Sequence, residues 1–126
     1  MTFTTPADFE LFKKECRKWI DILSLNDWEY HYYHTDFTNT DLEDSNSTVT
    51  LYPVARAAVL RLSKTLNTFE EPKRETIKEC ALHEVLHVLQ AEVSALASNR
   101  DYNQKRYNDV EHAVIHRLQK AFKEMK

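Results

Sequence analysis

Ile77-Lys78-Glu79-Cys80-Ala81-Leu82-His83-Glu84-Val85-Leu86-His87-Val88-Leu89-Gln90-Ala91-Glu92-Val93 is the stretch from which the rest of the chain is read. Wound as an α-helix, it carries apolar residues around nearly its whole circumference between Ala81 and Val93, which predicts a central, buried helix. The pattern starts near Glu71, with Pro72 suited to a first turn, and continues to Leu96. Ser98 to Asp101 breaks it. A second helix is predicted from Tyr102 to Glu124, with Tyr107, Val110, Val114, Leu118, Ala121 and Phe122 on one face and Lys120, Lys123 and Lys126 at its negative end.

Working back towards the start, Ser47 to Tyr52 and Ala55 to Leu62 read as short strands, separated by Pro53, which belongs at a bend or a sheet edge. Trp28 to His34 alternates with period two and reads as a third strand. Before it, Thr5-Pro6-Ala7-Asp8 has the makings of a capped helix start, and Phe9, Phe12, Cys16, Trp19, Ile20 and Leu23 recur on one face of a helix from residue 6 to residue 24. The expectation is one α+β domain over residues 1–126: an N-terminal helix, a small three-stranded sheet, the central helix and a C-terminal helix.

Composition excludes several functions. Seventeen Lys and Arg against twenty Asp and Glu, with the signs interspersed, disfavour a nucleic-acid partner. No apolar run reaches the roughly 18 residues that a membrane span needs, and Met1 to Pro6 has no signal-peptide pattern, so a cytoplasmic location is expected. Cys16 and Cys80 are expected as free thiols. Among 126 residues there is no glycine, where average usage implies about nine. That excludes a dinucleotide fingerprint, a P-loop and a G-x-S-x-G elbow, and it leaves positive-φ turns to Asn and Asp, which cluster at Asn39, Asp41, Asp44 and Asn46.

Within the central helix, His83-Glu84-Val85-Leu86-His87 is an HExxH motif. Residues four apart on a helix stack on one face, so two imidazoles can reach one ion while Glu84 sits beside them. Six His and twelve Glu would produce such a triple by chance about 0.03 times in this composition. Buried without partners, the three side chains would be costly, and a metal ion removes that cost. Zinc suits imidazole and carboxylate ligands, and a catalytic site takes three from the protein and leaves one position for water.

The third ligand must come from elsewhere. Glu111 interrupts the apolar stripe of the last helix and completes the site if the two helices form an antiparallel hairpin with that stripe facing the HExxH helix. His112 and His116 compete for the role but have the polar neighbours Asn108, Asp109, Gln119 and Lys120. Cys80, one turn before His83, competes as a thiolate that would close the site into a structural one. His31 and His34 read as ordinary strand side chains.

The run HEVLHVLQAE, followed by a helix reading VEHAVIHRLQKAF, resembles the zincin metallopeptidases of the gluzincin branch, in particular their minimal phage-borne and prokaryotic versions. The likeness extends over the order of elements along the whole chain. It implies a zincin-like fold and a zinc-dependent hydrolase of peptide bonds acting on a peptide or protein substrate. It implies His83, His87 and Glu111 as zinc ligands, Glu84 as the general base and acid that activates water, Tyr102 or Tyr107 as oxyanion support, and Ser47 to Tyr52 as the edge along which an extended peptide lies. The alternatives are a non-catalytic binding or regulatory module stabilised by zinc, with Cys80 or His112 filling the open position, and a metal-free helical interaction protein.

Overall fold

Thr5 starts the first helix by a reciprocal cap. Its hydroxyl accepts from the Asp8 amide at 3.1 Å, and the Asp8 carboxylate accepts from the Thr5 amide at 2.8 Å. With Pro6 in the first turn, helix α1 runs Pro6–Ile22. It buries Phe12, Cys16 and Ile20, as the aromatic and aliphatic spacing predicts. The structure, a computed structural model, describes residues 2–67, 73–91, 93 and 104–124. Pro72, the break at Ser98 to Asp101, Tyr102 and the side chain of Tyr107 lie outside the described residues.

Beyond α1 the chain turns at Ser24, which adopts a left-handed φ of 57°. The carbonyl of Ser24 accepts from Arg117 Nε at 3.4 Å and its hydroxyl from Lys120 Nζ at 2.7 Å, so the last helix braces this turn. Positive φ was expected of Asn and Asp. Asn39 adopts it, but the others among the described residues are Ser24 and Arg56. Tertiary bonds offset the cost of roughly 1–2 kcal/mol that a Cβ imposes there. Arg56 bonds the Asp27 carboxylate and lies 5.1 Å over the Trp28 ring.

Three strands form the main sheet: β2 (Glu29–Thr35), β3 (Ser47–Tyr52) and β4 (Ala57–Ser63), in the order β2-β4-β3. β4 is central, parallel to β2 and antiparallel to β3, with Leu60 opposite both Tyr32 and Val49. Ala58, Leu60 and Leu62 are fully buried under the helices. Tyr33 and Tyr52, about half exposed, belong to the opposite face of the sheet. Pro53 opens the β3–β4 turn, where its carbonyl accepts from the Arg56 amide at 3.2 Å. A second, two-stranded antiparallel sheet pairs β1 (Thr2–Phe3) with β5 (Thr65–Leu66). The sequence reading contained neither of these strands.

Helix α2 runs Lys73–Leu89 and packs along α1 and against β3. Lys73 bonds Asp8 at 2.9 Å, and Lys78 approaches Glu15 to 4.0 Å, so ion pairs as well as apolar side chains join the two helices. Helix α3 runs Gln104–Glu124 and packs on α1. The expected stripe of α3 is only partly inward. Val110 and Ala121 are buried and Val114 and Leu118 half-buried, but Phe122 is 64% exposed. The observed architecture is α+β, and among the described residues no helix is long and apolar enough to cross a membrane.

Candidate metal centre

Ile77, Ala81, Glu84, Val85 and Val88 recur at helical spacing and form the buried stripe of α2. Glu84 is the charged member of that stripe, 4% exposed, whereas His83 and His87 lie beside it and are exposed. This corrects the expectation of a helix buried all round. Leu86 is 39% exposed as well, because the sheet and α1 cover one side of α2. An apolar circumference records what could be buried. How much is buried depends on what packs against it.

His83 and His87 converge. Their Nε2 atoms are 3.2 Å apart and their ring centroids 4.8 Å apart, with the ring planes at 78°. A tetrahedral zinc ion at about 2.0–2.1 Å from each nitrogen requires them about 3.3–3.4 Å apart. The side chains present therefore fit a zinc ion, and they also fit a simple hydrogen bond in which one imidazole donates to the other. A Glu84 carboxylate oxygen joins the pair, so that one potential ligand atom from each of the three residues lies within 4.8 Å of the others.

Glu84 has another partner that the sequence did not indicate. The Ser47 hydroxyl, at the start of β3, donates to Glu84 Oε2 at 2.7 Å. The buried carboxylate is thus satisfied by the protein itself, and its burial alone is no argument for a metal. The two residues are 37 positions apart, and no local motif announces the bond.

The other candidates are placed elsewhere. Glu111 is exposed on α3 and does not belong to the His83, Glu84 and His87 group. On the same helix, Val110 and Val114 line a small cavity with Leu25, Trp28, Val88 and Leu89, the last two directly following His87 at the C-terminal end of α2. His112 and His116 form their own exposed pair, 6.4 Å between centroids, with His112 Nδ1 bonded to the Asn108 carbonyl at 2.7 Å. His34 stacks on Phe9 at 5.1 Å and bonds Thr4 Oγ1 at 2.6 Å, and His31 pairs with Glu29 at 3.2 Å.

Cys80 and Cys16 are both free thiols. Burial pushes the Cys80 thiol above its ordinary range, although a hydrogen bond with Ser47 works against that, and the nearby Glu84 charge raises it further. Cys80 does not belong to the His83, Glu84 and His87 group. Burial, and then Glu84, also push Cys16 up strongly. Comparisons with protein-family models, with curated proteins and with solved structures find no match to this chain.

Proposed function

We propose that the chain is a zinc-dependent hydrolase of peptide bonds, with His83 and His87 as metal ligands and Glu84 as general base and acid. The observation that carries this reading is the convergence of the two imidazoles at a tetrahedral ligand spacing beside a buried carboxylate on the same helix. When bound, zinc supplies a Lewis acid that polarises a carbonyl and lowers the pKa of water towards about 7.

The chain's own residues do the remainder. Glu84 takes a proton from water as it attacks the scissile carbonyl and passes it to the departing amine. β3 is a sheet edge that pairs with β4 alone among the described residues, and its first residue reaches Glu84. An extended peptide added along β3 would therefore bring its backbone to the carboxylate. The likeness to gluzincins implies Glu111 as a third ligand, but Glu111 is exposed on α3 and apart from the group, and the reading rests on His83, Glu84 and His87.

Zinc titration and hydrolysis of labelled casein test the proposal together. One zinc per chain is expected, lost in both His83→Ala and His87→Ala. Glu84→Gln is expected to keep the zinc and lose turnover, and a Glu84→Gln protein that still cleaves casein removes Glu84 from its role. Unchanged zinc affinity in Glu111→Ala removes Glu111 as a ligand.

A further inference from the structure

We infer that Ser47 is a positioning residue for Glu84, holding one oxygen of its carboxylate so that the group stands beside the metal position without becoming a ligand. The inference rests on the zinc reading above. Its basis is the 2.7 Å bond from the Ser47 hydroxyl to Glu84 Oε2, made from a different element of the fold to a carboxylate that is 4% exposed.

Ser47 is itself well held. Its backbone pairs in register with Leu62 on the central strand. The residue before it, Asn46, accepts from the Ser63 amide through its carbonyl and from the Asn67 amide through its side chain, both at 2.9 Å. Ser47 has a single hydroxyl proton, and Glu84 receives it.

A carboxylate next to two imidazoles has an obvious competing use, which is to bind the ion itself. A Glu84 that ligates the metal cannot also accept a proton from water. The bond from Ser47 opposes that collapse by giving Oε2 a fixed donor on the sheet side, which leaves Oε1 to act. This assigns a task to the first residue of β3 that strand pairing does not require.

Cobalt(II) alone, added to the metal-free protein, is the probe, because the intensity of its visible bands falls when coordination number rises above four. Ser47→Ala and Ser47→Val are expected to lose band intensity relative to the unaltered protein as Glu84 moves onto the metal. Ser47→Thr, which matches Val in shape but keeps the hydroxyl, is expected to retain the intensity, and Ser47→Ala combined with Glu84→Gln to recover it. Circular dichroism of each variant establishes that it is folded, and the Thr and Val pair decides the matter should Ala not fold. Identical spectra for the Thr and Val variants overturn the role of Ser47 while leaving the metal site in place. Absence of cobalt binding in the unaltered protein overturns both.

Discussion

Zinc added to the metal-free protein should raise its melting temperature by about 10 °C, and the His83→Ala and His87→Ala variants should lose the effect. A ligand that binds only the folded state at one hundred times its dissociation constant stabilises by about 2.7 kcal/mol. For 126 residues, an unfolding entropy of about 2.1 cal/mol/K per residue gives roughly 0.26 kcal/mol/K, so that stabilisation corresponds to about 10 °C. The 3.2 Å separation of the two Nε2 atoms means that little side-chain rearrangement precedes binding. Intrinsic fluorescence of Trp19 and Trp28, which are half-buried and buried, follows the transition. A chelator should reverse the shift. His112→Ala and His116→Ala should leave it intact, since that pair lies apart on α3. A shift below about 2 °C in the unaltered protein, or an equal shift in His83→Ala, refutes the reasoning.

Three predictions concern the frame that carries the site. Phe12→Ala, at a fully buried position between α1 and the rest of the core, should cost about 3–5 kcal/mol in a urea titration. Thr48→Val on β3 should stabilise by about 1 kcal/mol, because Thr48 Oγ1 is buried with no hydrogen-bond partner among the described residues and Val keeps its shape; unchanged or lower stability counts against it. Asp8 gives a pH dependence. Burial pushes its carboxyl up, but the Lys73 ammonium and the bonds with Thr5 outweigh this and hold it below its ordinary value of 3.8. A carboxyl depressed in the folded state adds stability above its unfolded value and loses it as pH falls through the folded one. The unaltered protein should therefore lose more stability than Asp8→Asn on acidification below about pH 4, measured by urea midpoints.

The sequence was most legible where one element imposes its own pattern. The cap at Thr5, the buried row of Phe12, Cys16 and Ile20, and the three main strands could each be read from spacing alone. β1 and β5 could not, because two residues have no periodicity and their pairing joins chain segments more than sixty positions apart. Glu111 exposes a different gap. Helix α3 has two apolar rows that share Leu118, one containing Val110, Val114 and Ala121 and the other Ile115 and Phe122. Spacing permits either to face inward. The structure buries Val110 and Ala121 and leaves Ile115 and Phe122 exposed, which turns Glu111 outward with them. Only the neighbouring surface, here α1 and the Leu25 to Trp28 turn, selects the rotation. The same distinction separates the parts of the candidate site. His83 and His87 meet because one helix fixes their separation, so HExxH was readable in a single line of sequence. The bond that holds Glu84 crosses from sheet to helix, and it became visible only once β3 was placed beside α2. Chemistry contained within one element can be read from residue spacing, whereas chemistry assembled between elements depends on packing that spacing does not encode.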